Sequence, residues 1–206
     1  MSTLDEATLT TFPWVAVPPR GNLPPAWAGA IRYLVAKSGL WQEISLPWIR
    51  VVRPFTGPGE SPLPYGELQP VIDLRCGPLP MGLVREFIAG AREAAPLECA
   101  AALVWSDESS WRLAWREAKS AGSGHIDYNE VTLADAEHLV VDMHSHGHYE
   151  AYFSLEDNMD DRGSMKFSLV VGNFNGNAPT SAMRLCMLGL VRNAVADRDG
   201  KVEVSA

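Results

Sequence analysis

Apolar and polar positions follow two different patterns along this chain, and the change falls near residue 80. Before it, apolar residues come in short runs cut by proline. Residues 31–36, 40–44 and 48–52 are rich in branched and aromatic side chains and are separated by Gly39 and Pro47, which predicts three short strands. Gly57-Pro58-Gly59 with Pro62 and Pro64 predicts a loop, and residues 69–74 one further strand. Thirteen of the fifteen prolines precede residue 81. That density argues against long helices there, because proline removes a backbone donor and clashes with the preceding turn.

After Leu79-Pro80 a helical period appears. Leu83, Val84, Phe87 and Ile88 repeat at i, i+1, i+4, i+5 and predict a helix over 81–95, which Pro96 ends. Residues 98–105 read as a buried strand, 111–118 as its hairpin partner and 119–124 as a polar linker. A strand over 138–143, a short helix over 154–162 and strands over 166–171 and 183–188 follow, the last two joined by a loop holding Asn175-Gly176. The expected fold class is α/β of the α+β kind, with a mixed sheet flanked by helices over 81–195. A Pro/Trp-rich, mostly β module over 1–80 precedes it, and a tail over 196–206 follows.

Composition narrows the function. With 47% hydrophobic and 20% charged residues, the chain carries enough apolar surface for an ordinary core. A formal net charge of −8 suits neither sequence-independent nucleic-acid binding nor a polybasic membrane patch. No nucleic-acid and no membrane partner is therefore expected. The acidity is local: residues 1–80 hold six basic and six acidic side chains, whereas 127–161 hold ten acids and no Lys or Arg. All five histidines lie between His125 and His148. Cys76, Cys99 and Cys186 are odd in number and form no CxxC pair, which fits a reducing compartment. The first 20 residues lack the features of a signal peptide and no apolar run reaches the ~18 residues of a membrane span, so a cytoplasmic protein is expected.

Within the acidic stretch lies Met143-His144-Ser145-His146-Gly147, followed by Ser154-Leu155-Glu156-Asp157, a spacing of H-x-H-x7-S-x-x-D. Two histidines one residue apart on extended backbone project to the same side, because side chains alternate with period 2. Ser154 and Asp157, three apart at a helix start, share a face. A strand end and a helix start can thus aim two imidazoles and one carboxylate at one point, the three-ligand set of a catalytic zinc site. Ser-x-x-Asp is also a good capping pair, with Ser154 as N-cap and Asp157 at N3, and the two roles are compatible.

This spacing resembles the motif of the JAMM (JAB1/MPN/Mov34) metalloproteases at every defined position, over about residues 81–190. More narrowly, the 142–147 run, Asp160-Asp161-Arg162-Gly163 and Val170-Val171-Gly172-Asn173 resemble the protein A family of the PRTRC gene clusters. Those clusters are similar to small ubiquitin-like systems with a ThiF/E1-like protein encoded nearby. The resemblance implies Zn2+ held by His144, His146 and Asp157, with Ser154 beside them as a donor to the oxyanion. It implies Glu98, which follows Pro96 and opens an apolar strand, as the group that takes and returns protons. The implied reaction is hydrolysis of a peptide or isopeptide bond after the C-terminal glycines of a ubiquitin-like protein. That protein or its conjugates, and a ThiF/E1-like protein, are the implied partners. The alternative is an MPN scaffold that binds such a partner without cutting it, although scaffolds usually lose ligands that this chain retains.

The chain departs from the family pattern at three points. Gly147 stands where the family often has proline, and Ala101 and Trp105 stand where its E-x-x-G-x-L-x-G strand has glycines. Trp105 is expected to narrow or redirect a substrate groove. His148 is expected in a supporting or surface role, His125 and His138 as ordinary histidines, and Asp160 and Asp161 on a solvated helix face. His148-Tyr149-Glu150 mimics the H-x-E of zinc deaminases, but no PCxxC follows. HExxH and the Lys-Ser/Thr of a P-loop are absent, and an amidohydrolase barrel would need ~250 residues.

Overall fold

The computed structural model describes residues 2–57, 59, 61–121, 126–176 and 178–205. The chain forms two compact units, Met1–Cys76 and Gly77–Ala206.

The first unit opens with helix α1 (Thr3–Thr11), whose start is a capping box between Ser2 and Asp5. The proline density hid this helix, because every proline lies after it and the Ser2-x-x-Asp5 signal stands alone. β1 (Trp14–Ala16) runs parallel to β2 (Ala30–Ala36). β3 (Gly39–Ser45), β4 (Ile49–Pro54) and β5 (Val71–Leu74) then add antiparallel, giving the sheet order β1-β2-β3-β4-β5. All four strands predicted in this region are present; β1, three residues long, is too short to display a period. Val17, Leu34, Ala36, Trp41 and Val52 form one apolar cluster. On the same face of β2 and β3, Glu43 is only 1% exposed and is held by two arginines. Arg32 Nε lies 2.6 Å from its Oε2 and Arg50 Nε 2.7 Å from its Oε1. A carboxylate at that depth is stable only because both oxygens are paired.

The second unit begins with α2 (Met81–Ala94) and continues through β6 (Ala100–Ser106), β7 (Ser110–Trp115), β8 (Ala118–Ala121), β9 (Ile126–Tyr128) and β10 (His138–Ser145). It then runs through α3 (Leu155–Asp160), β11 (Met165–Gly172), β12 (Thr180–Met187), β13 (Leu190–Ala196) and β14 (Val202–Val204). Seven strands form a mixed sheet in the order β14-β13-β12-β11-β10-β6-β7, while β8 and β9 pair separately. This is the mixed α+β class expected. β10 and β11 are parallel; the other neighbours in the seven-stranded sheet are antiparallel. Every residue of β6 is buried. α2 turns Val84, Phe87 and Ala91 into the core. Phe87 meets Trp115 at 5.6 Å, and Gly90 admits that indole, which a Cβ would overlap.

Further segments of the second unit differ from expectation, β9 among them. The predicted linker 119–124 is strand β8 as far as Ala121; residues 122–124 and His125 lie outside the described residues. β13 follows the last predicted strand, and 196–206, expected as a tail, contains β14 paired on β13. Among the described residues no helix is long and apolar enough to cross a membrane.

The buried carboxylate of the first unit generates a test. Glu43→Gln leaves the Arg32 guanidinium buried without a counter-charge and should destabilise this unit by about 3–5 kcal/mol. Arg50→Ala should cost distinctly less, since Arg50 is 30% exposed and Arg32 remains. Denaturant unfolding followed by tryptophan fluorescence of single variants measures both.

Candidate metal centre

β10 delivers the two histidines. His144 stands opposite Ala100 of β6 on one side and Val170 of β11 on the other. Strand alternation puts Asp142 and His144 on one face of the sheet. The chain stays extended into His146, whose N–H donates to the Val171 carbonyl at 2.8 Å. Continuing the antiparallel register two residues beyond His144–Ala100 sets Glu98 opposite His146. Ser145 fastens this end: its N–H donates to the Cys99 carbonyl at 2.9 Å and its Oγ accepts from the Cys99 N–H at 3.0 Å. Gly147 then turns the chain with φ of +53°, so near the Pro96 carbonyl that a Cβ would overlap it. Proline, fixed near −65°, cannot make this turn, which explains glycine where the family often has proline.

The crossover to β11 brings back Ser154 and Asp157. Ser154 caps α3, its Oγ accepting from the Asp157 N–H at 3.1 Å. Asp157 Oδ2 in turn accepts from the Ser154 N–H at 2.6 Å and from its hydroxyl at 2.7 Å. That leaves Oδ1 free to face His144 Nε2 at 3.3 Å, while His144 Nε2 and His146 Nε2 are 3.2 Å apart. Ligand atoms of the three residues all lie within 4.8 Å of one another. His146 Nδ1 is 3.3 Å from the Glu150 carbonyl, which fixes its proton there and leaves the lone pair on Nε2. Burial holds both imidazoles below their ordinary range, which favours the neutral form that binds metals. Two ligands ~2.0–2.1 Å from a tetrahedral zinc stand ~3.3–3.4 Å apart, close to the two spacings at His144 Nε2.

The capping box is therefore compatible with metal binding, because it uses Oδ2 of Asp157 and leaves Oδ1. The Ser154 hydroxyl donates its single proton in a hydrogen bond to Asp157 Oδ2, however. Donation to an oxyanion requires the hydroxyl to rotate; as it stands, it orients the carboxylate. Glu98 is 7% exposed and lines the same cavity, of about 920 Å3, as His144, His146, Ser154 and Asp157. Burial, reinforced by the negative charges of Asp157 and Glu156, pushes its carboxyl up to about 7. It precedes β6 by two residues rather than opening the strand.

A chain of ion pairs underlies the centre. Asp142 is 2.8 Å from Arg116 and 2.6 Å from Lys166, and Lys166 also reaches Asp161 at 3.0 Å. Asp161 is 4% exposed and paired with Arg184, not on the solvated face expected; Asp160 is exposed. His148 is exposed. Trp105 is buried, stacks on His138 at 6.3 Å and does not line the cavity, since it lies at the far end of β6 from Glu98. Trp105 therefore does not narrow this cavity. Sequence reasoning passed over Arg116, Asp142, Lys166 and Arg184. Their one signal was a charge at or near an otherwise apolar strand, with Asp142 two residues before His144.

Residues 80–186 match the family model described as prokaryotic homologs of the JAB domain, and residues 2–75 match a domain of unknown function, DUF2016. The first match covers half of the chain, which belongs to the JAB/MPN family. No curated protein matches it.

Two tests arise from this geometry. A carboxyl raised to about 7 contributes stability below its unfolded pKa, ~4.3, and loses it as pH rises through 7. In zinc-free protein, Glu98→Gln should therefore be more stable than wild type by about 1–3 kcal/mol at pH 8, with the gap closing towards pH 4. Denaturant unfolding at the two pH values reads the difference. Gly147→Ala should destabilise by at least about 1–3 kcal/mol, from the left-handed backbone together with the Pro96 overlap, and the same unfolding measurement checks it.

Proposed function

We propose that the second unit is a zinc-dependent hydrolase of peptide or isopeptide bonds, acting after the C-terminus of a ubiquitin-like protein in deconjugation or precursor processing. The observation that carries this reading is the convergence of His144 Nε2, His146 Nε2 and Asp157 Oδ1 beside a buried Glu98 in one cavity. His144, His146 and Asp157 would hold the ion. The chemistry that zinc supplies when bound is Lewis acidity, which polarises the scissile carbonyl and makes water acidic enough to ionise near neutrality.

The remaining steps belong to this chain. Glu98 accepts the proton of the attacking water and returns it to the leaving amine. Its carboxyl, held near 7, exchanges protons readily in both directions at neutral pH. Ser154 holds Asp157 and, on rotating, offers its hydroxyl to the oxyanion. The exposed acids Glu150 and Asp160 favour a basic substrate tail. The resemblance to the PRTRC protein A family favours a ubiquitin-like protein or its conjugates as substrate and a ThiF/E1-like protein as further partner, while three cysteines without a CxxC pair favour the cytoplasm as location.

The test pairs metal analysis with cleavage of a ubiquitin-like protein fused through its C-terminal glycines to a reporter. Wild type should bind one zinc per chain and release the reporter. Glu98→Ala should keep the zinc and lose about 10²–10⁴-fold in rate. Failure to take up zinc on reconstitution at neutral pH overturns the proposal. Zinc uptake with partner binding but no cleavage favours the scaffold.

A further inference from the structure

α3 is six residues long and buries none of its side chains. Leu155 and Met159, the apolar pair on its outer face, are 82% and 69% exposed. A helix this short does not persist by propensity, and apolar packing does not hold it. Its N-terminus is fixed by the capping box of Ser154 and Asp157. At its far end Lys166 of β11 reaches Asp161 at 3.0 Å, but the side chain that spans from Asp161 back to Asp157 is Arg184 of β12.

Arg184 is 4% exposed, and each part of its guanidinium is engaged. Nε and NH2 lie 2.8 and 2.6 Å from Asp161 Oδ2. NH1 donates to Asn158 Oδ1, and NH2 donates to the Asp157 carbonyl at 2.9 Å. The plane lies 3.7 Å over the ring of Phe153. One planar group thus grips the residue before Ser154, the backbone of Asp157 itself and the turn at the end of α3. The sheet sets its place: Arg184 pairs with Ser168 and Ser168 with Asp142, one row along from His144. Arg184 lies outside the H-x-H-x7-S-x-x-D spacing.

We infer that Arg184 is a positioning residue for the metal centre. By clamping α3 to the central sheet, it fixes where Asp157 Oδ1 stands relative to the two histidines. The inference rests on the zinc-site reading above. Lysine at this position keeps a charge for Asp161, but a single ammonium cannot also reach Asn158 Oδ1 and the Asp157 carbonyl while stacking on Phe153.

The experiment uses the full chain with zinc alone as probe. Zinc affinity is measured by chelator competition and stability by thermal unfolding of zinc-free protein, for wild type, Asp157→Ala, Arg184→Lys and Arg184→Met. Arg184→Lys should unfold near the wild-type temperature yet bind zinc about 10–100-fold more weakly, and Arg184→Met should bind at least as weakly. A purely structural arginine would lower the unfolding temperature and leave the zinc affinity of the folded protein unchanged, which overturns the inference. Should both arginine variants fail to fold, Asn158→Ala decides, because it removes one acceptor from an exposed side chain. Roughly 3-fold weaker zinc binding is expected of it, and unchanged affinity overturns the inference. If wild type shows no zinc binding that Asp157→Ala weakens, the zinc-site reading falls and this inference with it. Zinc binding that depends on Asp157 but is indifferent to Arg184 overturns the positioning role alone.

Discussion

The geometry of the centre depends on one pairing, β10 against β11 in parallel. Parallel neighbours cannot be joined by a tight turn, so the chain must leave the sheet at the end of β10 and cross over before re-entering. That crossover occupies residues 146–164 and carries His146, Gly147, Ser154 and Asp157. The other neighbour of β10 is β6, which is antiparallel, so the start of β6 lies beside the end of β10. Glu98 precedes β6 and is brought to the same place. Parallel pairing on one flank and antiparallel pairing on the other thus bring three separate segments together. A ligand site at the carboxyl end of a strand where the chain exits the sheet is what such topology favours.

Charge performs a different task here from the one its distribution along the chain suggests. Residues 127–161 hold ten acids and no Lys or Arg, yet two enclosed acids outside the centre, Asp142 and Asp161, are not unbalanced. Their partners Arg116, Lys166 and Arg184 come from elements before and after that stretch. Burying so many charges is costly unless each is paired, and a pair broken on one side leaves the other stranded. The row therefore specifies register across β10, β11 and β12: slipping a strand by one residue would separate every partner. Acids outside this row, such as Glu150 and Asp160, are exposed and set the local field.

What was legible in the sequence was whatever is local in it. H-x-H-x7-S-x-x-D combines a strand period with a capping spacing, and both are fixed by backbone geometry within a few residues. The histidines, Ser154 and Asp157 could thus be set side by side before any fold was known. Glu98 needed the β6–β10 register as well, and the resemblance stood in for it. Arg184 could not be read, because its meaning lies in pairing with Asp161 and Asn158, more than 20 residues away. β13 and β14 were missed for a related reason: they lie towards the sheet edge, and β14 has only three residues in which to show a pattern. α1 shows the reverse fault, a clear local cap overruled by the proline content of the rest of its unit.

The centre is also where the fold gives up stability. Glu98 is buried beside two other carboxylates, which opposes its ionisation. Two imidazoles stand with facing Nε2 atoms 3.2 Å apart in an environment that disfavours their charged forms. Gly147 takes a left-handed turn against a carbonyl. None of these features helps a chain fold, and each is held in place by neighbours that do. The Ser145–Cys99 link, the Ser154–Asp157 capping box and the Arg184 clamp carry the compensating interactions. A divalent cation at the histidines and Asp157 would relieve the largest of these conflicts at once, by placing positive charge where lone pairs and carboxylates converge. The unfavourable electrostatics and the metal-binding reading are thus two descriptions of a single arrangement.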